Sequence, residues 1–306
     1  MRFLSNFKMI SVLCGLLFLV NVVSASGETK EKTGALLWKI SGNGLKQPSY
    51  VFGTHHFFSF NFLDSIAGAK QAFLSCEQLV GEITMNDMAA IAVEMQKAGM
   101  MHPDTTWQML LSADDYQFVD QELTAMFGVG LQLLGMYNPA AVSMSYLQIF
   151  YQKVFPEVNF AESIDLWFQQ QALLREIPIL GLETVQDQTD ALFLLSLKQQ
   201  AQDLLCALKN PEHLVSSLNK MNNVYRSADL KTMAQLLNEE GPCPTSSEQE
   251  AALNDTRNHR WLEQLPAIMA DKPSFIAVGC LHLAGEKGIL MGLEKLGFIV
   301  EAVKTK

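Results

Sequence analysis

The chain has 306 residues, with 32 Asp or Glu against 22 Lys or Arg, giving a formal charge of −10 and a pI near 5.1. That balance argues against nucleic acid or anionic lipid as a partner, because both call for a basic surface. The length is enough to bury a well-filled core.

Arg2 and Lys8 precede an apolar run from Met9 to Val23, and the small residues Ser24 and Ala25 follow it. Residues 1–25 therefore read as a secretory signal peptide. The apolar run falls short of the ~20 residues that comfortably cross a bilayer, so a retained anchor is the lesser alternative. Residues 26–306 are expected to form a single exported domain, periplasmic or secreted, with no stable membrane span. Export permits disulfides. Cys206 and Cys243 flank one helical region, with Cys243 between Pro242 and Pro244, and are the expected pair. Cys76 and Cys280 lie in apolar surroundings and read as buried thiols.

Leu36–Ser41, a turn at Gly42-Asn43-Gly44 and Pro48–Phe52 predict a β-hairpin. A helix over Asp64–Cys76 and a strand over Leu79–Ile83 follow, a β-α-β unit that implies a parallel neighbour. Several helices fill 86–171, one of the two expected helical insertions. Their methionines offer adaptable apolar surface, for core packing or for a groove. A helix from Asp165 to Arg175 leads into a strand over Ile177–Leu182. The second insertion, 187–270, is helical to Leu237, then a polar loop over Glu239–Gln249, then a helix over Asp255–Ala270 that Pro266 should kink. A strand over Phe275–Val278, a helix over Gly285–Leu296 ending at Gly297, and a strand over Phe298–Val303 complete an α/β (α+β) fold: a central mixed sheet with flanking helices.

Two short sequences carry the chemical signal. Gly53-Thr54-His55-His56 and Gly279-Cys280-Leu281-His282 each close an apolar strand, where α/β proteins place their active groups. Gly53 and Gly279 permit a sharp turn or a close approach, and His56 and His282 supply imidazoles able to bind a metal or move a proton. His55 should point away from the side of His56 if the backbone there is extended. Glu82 and Glu183 each end an apolar run, where an unpaired carboxylate would be costly to bury. Two imidazoles and one or two carboxylates suit a divalent ion such as zinc with an open position. The expected ligands are His56, Glu82 and His282, with Glu183 as general base or further ligand. Arg257 either stabilises developing negative charge or ties its helix to an acid such as Glu183. No G-x-S-x-G or H-E-x-x-H occurs.

Taken in order, Leu37-Trp38-Lys39-Ile40, Tyr50–His56, Leu79–Ile83, Ile179–Thr184, Arg257-Asn258 and Val278–Gly288 resemble the TraB/GumN family over nearly the whole mature chain. The resemblance implies a core shared with Tiki proteases, erythromycin-esterase-like and ChaN-like haem-binding proteins, and a site containing His56, Glu82 and His282. It also implies a metal-dependent peptidase using manganese or cobalt. Thr84 stands where the family often has a further acid. The expected function is an exported metal-dependent hydrolase acting on a peptide or small molecule. The alternative is a non-catalytic protein that binds or sequesters a peptide, a pheromone-like ligand or haem.

Overall fold

The structure, a computed structural model, describes residues 34–236, 241–244 and 246–303. The expected signal peptide lies outside these residues, as does part of the loop over 239–249.

Six strands form one mixed sheet: β1 (Leu37–Gly42), β2 (Ser49–Thr54), β3 (Gln78–Gly81), β4 (Ile179–Gly181), β5 (Ser274–Gly279) and β6 (Phe298–Ala302). Their order is β4-β3-β5-β2-β1-β6. The first two make the expected hairpin, Leu37 opposite Phe52. Its turn places Gly42, Asn43 and Gly44 in succession at positive φ, which glycine and asparagine tolerate best. The last strand returns antiparallel to β1. β2, β5, β3 and β4 all run parallel. The β-α-β expectation needs one correction: β2 and β3 are parallel but not adjacent, because β5 lies between them.

The central strands are apolar on both sides because both faces are covered. In β5 the successive residues Phe275, Ile276, Ala277 and Val278 are all buried. Helices α1 (Ala69–Ser75), α2 (Met88–Ala98), α3 (Ala113–Phe127), α4 (Leu131–Leu134), α5 (Pro139–Val154) and α6 (Ile164–Leu174) come before β4. Phe73 of α1 and Phe168 of α6 meet Phe275, with ring centroids 5.5 and 4.6 Å away, and Phe168 also meets Phe52. Edge-on and tilted contacts of this kind add to burial.

Between β4 and β5 lie α7 (Val185–Leu192), α8 (Leu197–Lys209), α9 (Pro211–Arg226), α10 (Leu230–Leu236), α11 (Ser247–Glu250), a π-helical turn at Ala251–Asp255, and α12 (Thr256–Asp271). α12 runs through Pro266 as one helix. α13 (Ile289–Lys295) precedes β6. Tyr225, Met233, Trp261, Leu265 and Leu290 from the carboxyl half join the sheet core. A second core, around Trp107, Val119, Leu123, Leu204 and Leu205, unites α3, α4, α5 and α8 away from the sheet. Cys206 and Cys243 are disulfide-bonded, with Cα atoms 5.7 Å apart, whereas Cys76 and Cys280 are buried free thiols.

Candidate functional site

The parallel strands determine where the site lies. Going across β4, β3, β5 and β2, the chain leaves the same end of the sheet at Glu183, Glu82, His282 and His56 in turn. Gly53 stands opposite Val278 and Thr54 opposite Gly279, so the two G-x-x-H turns are neighbours. A Cβ on Gly53 would meet the Cys280 Cα and Cβ and the Leu283 Cδ2 at 3.1 Å. A Cβ on Gly279 would lie 3.2 Å from a Glu82 carboxylate oxygen. Each glycine is thus the space into which the other half of the site packs.

Glu82 follows β3 directly. Its Oε1 accepts from the Gly279 backbone N–H (2.8 Å), and its Oε2 accepts from Arg257 Nη2 (2.6 Å) and Gln188 Nε2 (3.3 Å). Burial works against its charge, but Arg257, the two histidines and the Gly279 amide outweigh that and hold its pKa at about 2. Glu183 accepts from Arg257 Nη2 (2.6 Å) and Nε (3.1 Å) and from Trp261 Nε1 (3.3 Å). Burial raises its pKa despite Arg257. Its side chain is 2% exposed, and it stands behind the guanidinium rather than on the cleft wall. This placement does not suit the expected role as general base.

Arg257 uses its whole fork within the protein. Nη1 donates to the Leu253 carbonyl (3.0 Å) and to His282 Nε2 (3.2 Å), while Nη2 and Nε serve the two carboxylates. All five N–H groups of a guanidinium have partners here, and its plane lies over Trp261. The geometry makes Arg257 a tie between the carboxylates and His282. No donor is left over for a substrate oxyanion in this arrangement. The Leu253 carbonyl belongs to the π-helical turn, a departure from α-helix that is frequent at functional sites.

The two histidines are held alike and charged differently. Asn258 Nδ2 donates to the Lys287 carbonyl (3.1 Å), which turns its Oδ1 to His282 Nδ1 at 2.8 Å. His282 therefore carries its proton on Nδ1 and keeps a lone pair on Nε2. Burial first, and then Arg257, push its pKa down to about 3. His56 Nδ1 bonds Asp165 Oδ2 (2.9 Å), and Thr54 Oγ1 donates to Asp165 Oδ1 (2.6 Å). Burial opposes protonation of His56, but Asp165 overcomes it and raises the pKa to about 9. His55 packs against Phe57, Phe58 and Tyr225, and burial lowers its pKa to about 3.

His56, Glu82, Arg257, Gly279 and His282 line one cleft of about 70 Å³. Cys280 also borders it, but burial drives its thiol pKa far upward, away from nucleophilic use. Among the described residues no three His, Cys, Asp or Glu side chains are grouped closely enough to hold an ion as placed. Arg257 lies against two of the three expected ligands. In kind the donors, two imidazoles and a carboxylate, do suit a divalent cation. Both imidazoles are oriented through Nδ1 by another side chain, as metal-binding histidines are. Glu82 and Glu183 share Arg257, with Arg260 4.0 Å from Glu183, and Asp165 pairs with His56.

Asp165 and Gln188 are site residues not anticipated from sequence, and Asn258 is marked there only as part of the Arg257-Asn258 pair in the family resemblance, with no role given to it. The TraB/PrgY/gumN family model matches residues 36–302, a span that begins just before β1 and ends with β6. The chain belongs to this family. No curated protein and no solved structure matches it. The match covers the ends of β2, β3 and β5 that line the cleft and the end of β4 behind it.

Proposed function

We propose that this member of the TraB/PrgY/gumN family is an exported metal-dependent hydrolase that cleaves an amide bond in a peptide. The observation that carries the reading is the pair of imidazoles at adjacent parallel strand ends, each held at Nδ1 and each lining, with Glu82, one cleft. His56, Glu82 and His282 would hold a divalent manganese, cobalt or zinc ion, which when bound polarises a carbonyl and acidifies water. His56 must give up its Nε2 proton to serve as a ligand, and Asp165 compensates that loss by keeping Nδ1–H in place. Arg257 and Glu183 orient Glu82 and His282. The Cys206–Cys243 disulfide supports an oxidising compartment. Among the described residues, no helix is long and apolar enough to cross a membrane.

One observation favours a second reading, a non-catalytic ligand-binding protein: Arg257 already occupies the His282 lone pair that an ion would need. Metal analysis of the purified protein, with peptide hydrolysis measured before and after chelation and re-addition, separates the two. The hydrolase reading expects bound metal, chelator-sensitive cleavage, and loss of both in His56→Ala and His282→Ala. A metal-free protein that cleaves nothing after manganese, cobalt or zinc is added would overturn it.

A further inference from the structure

A second cavity, of about 40 Å³, opens beside the first. Its wall is formed by Met85, Met88, Ile91 and Met95, from the segment after β3 and from α2, with Phe168 of α6 behind them. It shares His56, Glu82 and Gln188 with the cleft, so whatever sits in it lies against the same polar groups. The polar side chains on its wall are already bonded within the protein. Gln169 accepts from the Met85 N–H (2.7 Å) and donates to the Ile83 carbonyl (2.8 Å). Gln188 donates to Glu82, and His56 is bonded to Asp165. A polar group seated among the methionines would lose water and find no partner there, at a cost of about 1–3 kcal/mol. An aliphatic group would gain burial, and the unbranched thioethers can adjust around it. Since ~10–15 Å³ holds one water, the space corresponds to roughly three waters, comparable with an isobutyl side chain.

We propose that this cavity is a specificity subsite for an apolar side chain of the substrate, of the leucine or methionine class, seated next to the bond that faces His56 and Glu82. The proposal rests on the peptide-hydrolase reading for what the neighbouring groups do, but the seat itself can be tested by binding alone. N-acetyl amides of leucine, methionine, glutamate and glycine would be titrated into the full mature protein by ligand-observed NMR, with wild type, Met88→Glu and Met95→Trp compared. The expected result is that leucine and methionine amides bind about tenfold or more tightly than glycine or glutamate. Both variants should abolish that preference. Met88 is only half-buried, so Met88→Glu keeps the test valid if Met95→Trp fails to fold. Equal binding of the leucine and glycine amides to wild type, or an unchanged preference in folded Met88→Glu, would overturn the subsite. If the preference is present while no peptide is cleaved with any metal, the hydrolase reading fails and the subsite stands.

Discussion

Replacing Arg257 with alanine is the sharpest probe of how the site is held. The guanidinium is buried against Glu82 and Glu183 at 2.6 Å each and also reaches His282. Removing it strips both buried carboxylates of their nearest counter-charge, leaving Glu183 only Arg260 at 4.0 Å, and breaking a buried pair in this way costs about 3–5 kcal/mol. At roughly 2–4 °C per kcal/mol for a domain of this size, the melting temperature should fall by about 6–20 °C. The loss should shrink as the pH is lowered, because protonating either carboxylate removes the stranded charge. Arg257→Ala combined with Glu183→Gln should recover part of it. Arg257→Lys should be intermediate, keeping the charge and losing the fork. Calorimetry of the four proteins at pH 5 and pH 7.5 measures this directly. If Arg257→Ala melts within a degree or two of wild type at pH 7.5, the guanidinium is not the tie described here.

The histidines set a pH dependence of stability. His55 and His282 have folded pKa values of about 3 against 6.5 unfolded, so their contribution is complete above pH 6.5 and is lost as pH falls toward 3. His56, raised to about 9, contributes fully below 6.5 and loses its share as pH rises through 9. These groups place the maximum near pH 6.5, with a slope of up to about 1.4 kcal/mol per pH unit for each group that titrates. Urea melts from pH 4 to 9.5 should show it, and a flat profile between 6.5 and 4 would contradict the neutral burial of His55 and His282. Asp165→Asn removes what holds the proton on His56, so its NMR titration should drop from about 9 to below 6.5; an unmoved midpoint would show that Asp165 is not the cause. Gly53→Ala forces a Cβ onto the Cys280 backbone and should cost about 1–3 kcal/mol in thermal unfolding. Gly279→Ala should cost less, since the Glu82 carboxylate it meets can rotate away, and the reverse order would contradict the packing described.

The strand ends were legible because their signal is local. An apolar, β-branched run followed by glycine and then histidine can be read without knowing what lies beside it, and Glu82 and Glu183 betray themselves as carboxylates closing such runs. Asp165 and Gln188 carry no such mark, and Asn258 has only its place beside Arg257 in the family motif. An acid in the first turn of a helix is commonplace, and Asn258 and Gln188 sit on helices of ordinary amphipathic spacing. Their importance arises only from what the tertiary fold sets opposite them. For the same reason Glu183 could be found but its role could not, since being sealed behind Arg257 is a matter of packing. The insertion of β5 between β2 and β3 was equally hidden, because an all-apolar strand names no particular neighbour.

That insertion has a consequence for how the protein comes to exist. Ser49 and Ser274, bonded across the adjoining starts of β2 and β5, are 225 positions apart in the chain. Until the carboxyl-terminal segment emerges, β2 and β3 face an empty slot one strand wide, and His56 and Glu82 have no His282 between them. Closing so long a loop is slow relative to local pairing. The sheet and the cleft are therefore completed in one step, only when the last strands are seated.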